Sequence, residues 1–192
     1  SFDSTYPKFL AQKFKNSKQK VEILNAGVCG SDPFYEYMNL KDRLLVYKPD
    51  IVVLMIGSDD VFLDYRKRGG FERFLSNGKV VYRKPPWWEP IYACNNVFRF
   101  IATVMNYDET LLGKRYTKEE KRQTDKSFTQ LFSKYNKLLD LNGIKLVIVL
   151  HPVKEELREK KYHYNFEEIE SSIKQLPNTV FADLLPCFLE KI

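Results

Sequence analysis

Cysteine is scarce in this 192-residue chain, and histidine scarcer still. Cys29, Cys94 and Cys187 stand far apart, an odd number with no CxxC pair. That spacing argues against a disulfide framework and against a zinc site, and the thiols read as reduced or buried. Only His151 and His163 could serve as imidazole bases within the chain. No apolar run approaches the length of a membrane span, and no charged-then-apolar leader opens the sequence. The chain therefore reads as soluble, with no compartment assigned. No internal repeat or low-complexity linker divides it. A surface of one sign is missing too. The net charge is +6, yet acidic residues interleave with the lysines, as in "KEEKRQTDK" and "KEELREKK". Alternating signs mark solvated helix faces, and the densest basic cluster, Arg66-Lys67-Arg68, is too short for a nucleic-acid groove. Nucleic acid is excluded as a partner.

What is present is enough apolar residue for one domain with a core. Residues 51 to 56 read "IVVLMI", of which five are β-branched or leucine, with no polar residue to face water. Such a run fits a strand covered on both faces of a parallel sheet. Three further strands are expected: Val21 to Leu24, "IKLVIVL" from Ile144 to Leu150, and "TVFADLL" from Thr179. Helices are expected at Tyr6 to Phe14, about Pro33 to Val46, about Thr124 to Leu141, and Phe166 to Gln175. Gly143 in "LNG" is a good helix stop. Strands alternating with helices predict an α/β fold, a three-layer α/β/α sandwich around a parallel sheet. Residues 65 to about 115 break the rhythm and read as an insertion over the carboxyl edge of the sheet. "FERFLSNGKVVYRK" predicts a hairpin turning at Asn77-Gly78, followed by "PPWWEP" and the apolar "IYACNNVFRFIATVM".

Ligands of open parallel sheets bind beyond the carboxyl ends of the strands. Here "IVVLMI" runs into Gly57-Ser58-Asp59-Asp60, and "NAGVCGSD" follows Val21–Leu24. These stretches, in this order, resemble the second and third conserved blocks of the SGNH (GDSL-type) hydrolases, serine esterases and acylhydrolases on a flavodoxin-like sandwich. "STYPKFLAQKF" resembles the helix after that family's first block, and "VFADLLPCFLEKI" the stretch towards its last. The resemblance spans nearly the whole of residues 1–192 apart from the insertion, so a single domain is expected. It implies strand order 2-1-3-4-5. It also implies a small-molecule or glycan ester substrate, acyl or acetyl, on a carbohydrate or lipid. No metal or cofactor is implied.

In that chemistry a serine attacks the ester carbonyl and fixed donors hold the oxyanion that develops. Carried over by position, Gly30 would give a backbone N–H, and Asp59 stands where the family has an asparagine side chain. Ser31 and His151 are the candidate substrate-binding residues, His151 because it ends a strand at the same edge. The aspartate is a departure, since an ionised carboxylate has no hydrogen to donate. Either burial beside Asp60 keeps Asp59 protonated, or catalysis is weakened. Asp60 itself is expected to organise the loop by accepting backbone hydrogen bonds. The family's Gly-Asp-Ser and Asp-x-x-His blocks are not found. "FDS" at Phe2 to Ser4 mimics the first in letters only, with no apolar strand before it. The expectation is a domain truncated at both ends and silent by itself, in which either a neighbouring segment supplies the missing strand or the intact protein is longer. The alternative is a non-catalytic carbohydrate-binding module on the same fold, with "PPWWEP" as an aromatic platform or, more plainly, as core of the insertion. A flavodoxin-like phosphate site is disfavoured by the Asp59-Asp60 pair.

Overall fold

The computed structural model describes residues 5–15, 20–77, 79–81, 87–105 and 116–190. The chain forms two compact units, Ser1–Ser31 and Asp32–Ile192.

In the first unit, helix α1 (Tyr6–Lys15) ends in Lys13 and Lys15, cations that complement the negative end of the helix dipole. Val21 to Leu24 forms no strand, contrary to expectation, and Val21 and Leu24 are exposed. A strand exists through its ladder of hydrogen bonds, and among the described residues Val21–Leu24, with Glu22 inside it, pairs with no neighbouring strand. The unit closes in a turn in which Ser31 N–H donates to the Val28 carbonyl at 3.0 Å.

The second unit opens on Asp32, whose carboxylate accepts from the Phe34 and Tyr35 N–H groups at 3.0 and 3.2 Å. That caps α2 (Pro33–Asn39), whose first residue is a proline with no N–H to leave orphaned. The helix runs on through a π turn (Leu40–Leu44) and a 3-10 turn (Leu45–Tyr47) into β1 (Ile51–Ile56). Next come α3 (Tyr65–Arg68), α4 (Glu89–Cys94) and α5 (Asn96–Val104). Phe74 and Val80 form one antiparallel bridge, with Asn77 Oδ1 accepting from Lys79 N–H between them. Helix α6 (Lys118–Asp140) starts in a reciprocal box between Thr117 and Glu120. It stops where Gly143 N–H reaches the Asp140 carbonyl and Ile144 N–H that of Leu139, the Schellman arrangement. Then follow β2 (Lys145–Leu150), α7 (Lys154–Glu159), α8 (Glu167–Lys174), β3 (Thr179–Asp183) and α9 (Leu184–Leu189).

The three strands form one open, all-parallel sheet in the order β1-β2-β3. Ile56 stands level with Leu150, and Leu150 with Asp183, so all three strands deliver their following segments to one edge. Leu54, Ile56, Leu146, Ile148 and Leu150 are buried in a cluster with Phe128, Leu131, Phe132, Tyr135 and Leu139 of α6 and Ile169 and Ile173 of α8. These side chains alternate along the strands, so they share a face. The opposite face is thinly covered. Ile51 and Val53 of β1 are 55% and 44% exposed, and Val180 of β3 is 41% exposed. The continuous apolar run thus marks β1 as a strand but does not imply cover on both its faces. Cys29, Cys94 and Cys187 are free thiols and exposed, which corrects the buried reading. Among the described residues no helix is long and apolar enough to cross a membrane.

Candidate functional site

The residues after β1 begin a helix, over 58–68, where the sequence reading placed a loop. Gly57 takes the N-cap position, its carbonyl accepting from Val61 N–H at 3.3 Å. Asp60, three residues on, accepts the Gly57 N–H at 2.8 Å. This is half of a capping box, and it sets a carboxylate at the positive end of the helix. Gly57 also lies close under an imidazole, which a larger residue would push by a few tenths of an ångström. A Cβ there would lie 3.3 Å from Cε1 and 3.4 Å from Nε2 of His151. His151 follows β2, and its own N–H is tied to the Ile56 carbonyl at 2.9 Å. The imidazole therefore lies against the backbone that ends β1.

Ser58 is buried and donates its hydroxyl to Glu156 of α7. Glu156, fully buried, also accepts N–H groups from Val153 at 2.9 Å and His163 at 2.7 Å. One carboxylate thus ties together the segments after β1 and β2 and the loop before α8. Ser58 is 2% exposed, gives its hydroxyl to Glu156 and accepts Tyr164 N–H at 3.3 Å, so it holds this knot from the inside. His163 stands 3.9 Å from Glu156 and 3.5 Å from Glu159, half-exposed beside this knot. Asp183, at the end of β3, caps α9 through Leu185 N–H and accepts the Tyr162 hydroxyl at 2.6 Å.

Two of the four residues proposed from sequence, Asp59 and His151, come to this carboxyl edge. Asp59 is exposed, and its side chain makes no hydrogen bond or ion pair among the described residues. The burial needed to keep a carboxyl neutral belongs instead to its neighbour. Asp60 is pushed up to about 7, first by loss of solvent and then by the charges of Glu36, Asp64 and Asp59, against the lowering pull of the Gly57 N–H. Gly30 and Ser31 lie in the first unit. Gly30 holds the third position of the Val28–Ser31 turn with φ of 71°, a conformation that favours glycine, and nothing lies within 4 Å of where a Cβ would stand. Ser4 lies outside the described residues. Among the described residues no group of three or more His, Cys, Asp or Glu is placed to hold a metal ion. Trp87 is 82% exposed, so it is not core.

The sequence reading missed Glu156 and the buried role of Ser58. "VKEE" carries the only local hint, a glutamate three residues after the residue that precedes a helix. The bond to Ser58 spans 98 residues and leaves no local trace. Comparisons with models of known protein families, with curated proteins and with solved structures each find no match to this chain.

Two predictions test this edge. Asp60→Asn keeps an oxygen for the Gly57 N–H and removes a buried charge. A carboxyl whose folded pKa is raised binds more protons folded than unfolded between about pH 4 and 7, so stability falls as pH rises through that window. The variant should therefore be more stable than the parent at pH 8, by on the order of 2 kcal/mol, and no more stable at pH 4. Urea melts at both pH values check this. Glu156→Gln should destabilise at pH 7 by roughly 2–3 kcal/mol, because an amide NH2 then faces a buried donor. Thermal melts of the variant beside the parent read the loss.

Proposed function

We propose that this chain carries oxyanion-stabilising elements of an SGNH-type ester hydrolase, acting on an acyl or acetyl ester of a carbohydrate or lipid. The observation that supports the reading most is the placement of the "GSDD" stretch. It follows the buried end of a strand in an all-parallel sheet, at the edge where such sheets take ligands, with Asp59 exposed and His151 against Gly57. In this reading the fold is the flavodoxin-like α/β/α sandwich of the family, with the three observed strands as part of its sheet. In the second unit Asp59 occupies the side-chain position of the oxyanion hole and His151 contacts substrate, while a backbone-donor role for Gly30 and a substrate contact for Ser31, both in the first unit, are what the resemblance implies. The carboxylate at position 59 predicts low turnover.

The test is hydrolysis of p-nitrophenyl acetate by the natural polypeptide carrying these residues, with labelling by a fluorophosphonate as a second readout. Turnover that is blocked by the fluorophosphonate supports a serine hydrolase. Binding of an acylated glycan with neither turnover nor labelling would assign the chain to the carbohydrate-binding alternative. Absence of all three would sink both readings.

A further inference from the structure

The helix that follows β1 opens on a crowd of carboxyl groups. Asp60 and Asp64 stand one turn apart on it, and Asp32 and Glu36 stand one turn apart at the start of α2. Arg68 joins the two helices, reaching Asp32 Oδ2 and Asp64 Oδ1, each at 3.4 Å, and Arg73 meets the same Asp32 oxygen at 2.6 Å. Those guanidinium groups balance the rung made by Asp32 and Asp64. One turn from that rung, along α2 and back along its neighbour, come Glu36 and Asp60. The charges of Glu36, Asp64 and Asp59 all bear on Asp60.

Asp60 is held in this crowd by the Gly57 N–H at 2.8 Å. The turn behind that cap is a wide one. Tyr65 N–H reaches back five residues to the Asp60 carbonyl, closing a π turn (Asp60–Asp64), a rare form that recurs at functional sites. The Val61 N–H meets the Gly57 carbonyl at 3.3 Å, beyond the usual range for such a bond. On the other side, His151 lies against Gly57.

We propose that Asp60 is a proton-operated latch: holding its proton it keeps the helix start closed on Gly57, and once ionised it loosens residues 57–61 and with them the edge that bears Ser58 and Asp59. The inference goes beyond the ester-hydrolase reading and stands without it, since it concerns the opening of the edge and no reacting group. A carboxyl held at about 7 in the closed form, and near 4 once it meets water, binds its proton more tightly closed than open. Opening therefore releases a proton between about pH 4 and 7. It should become more frequent by about tenfold per pH unit there, on the order of 10³ in all, with no further gain above.

Native-state hydrogen exchange of the chain, read by NMR from about pH 4 to 8 beside Asp60→Asn, tests this. The variant keeps an oxygen for the Gly57 N–H and cannot ionise, so the ratio of the two rates cancels the ordinary pH dependence of amide exchange. The parent's Gly57 and Val61 amides should gain on the variant's by about 10³-fold between those limits and then hold level. They should also exchange faster than Leu131 and Phe132 in α6. Low urea should speed the α6 amides alone, since a local opening exposes little surface. The Asp60 carboxyl carbon, followed in the parent by itself, should titrate near neutral pH, a readout that needs no folded variant. Equal rates in parent and variant at every pH would overturn the proposal. So would an Asp60 titration in the ordinary carboxylate range, or amides at 57 and 61 that open only together with α6.

Discussion

Asp32→Ala is expected to destabilise the second unit by about 3–5 kcal/mol, or most of the stability of a marginal domain. Asp32 is buried, and its two oxygens are divided between two tasks. Oδ1 caps α2 through Phe34 and Tyr35, while Oδ2 lies 2.6 Å from Arg73 Nη2 and 3.4 Å from Arg68 Nη1. The Arg73 side chain is 2% exposed and also donates to the Gly69 carbonyl at 3.1 Å. Removing the carboxylate takes the Asp32 countercharge from a buried guanidinium, so less of the desolvation already incurred is offset. Loss of the cap adds about 1 kcal/mol. Asp32→Asn separates the two effects, since the amide oxygen can still cap while the charge is lost. It should fall between the parent and the alanine variant. Urea melts measure all three, and an alanine variant within about 1 kcal/mol of the parent would show that Arg73 does not depend on this partner.

Local patterns gave the elements, and long-range contacts decided the rest. "IVVLMI" and "KLVIVL" are strands because a run of β-branched and leucine residues fits a pleated, buried surface. The stop at "LNG" was equally readable, because the Schellman motif is built from neighbours in sequence. Val21–Leu24 is also mostly β-branched and leucine, with Glu22 among them, and is not a strand, since pairing depends on a partner that the tetrapeptide does not name. The cover on β1 was misread for a related reason. Ile51 and Val53 are as apolar as Leu54 and Ile56, and only the packing of α6 and α8 on one face tells them apart. At the edge, Asp60 as a backbone acceptor was legible, being a short-range cap. The burial of Ser58 under Glu156 was not, and neither was the shielding that raises Asp60.

If the SGNH-type reading holds, Asp59→Asn should raise ester turnover by on the order of 10²-fold, because it supplies a donor where the oxyanion forms. A single such donor is worth about 10² to 10³ in turnover, and the gain belongs in kcat, since the amide meets charge that develops only in the transition state. KM should change little. Two controls make the result specific. Asp59→Ala removes the repelling carboxylate without adding a donor, so its gain should be smaller than that of the asparagine variant. Asp60→Asn should leave turnover near the parental level, because Asp60 is committed to the Gly57 N–H and faces the helix start. Position 59 tolerates the exchange structurally, as its side chain is exposed and makes no hydrogen bond among the described residues. A change in rate would therefore report on chemistry and not on folding. Equal rates for the aspartate, asparagine and alanine forms would mean that the side chain at 59 never meets the reacting carbonyl. The likeness of "GSDD" to an esterase block would then end at helix capping, which Asp60 already explains.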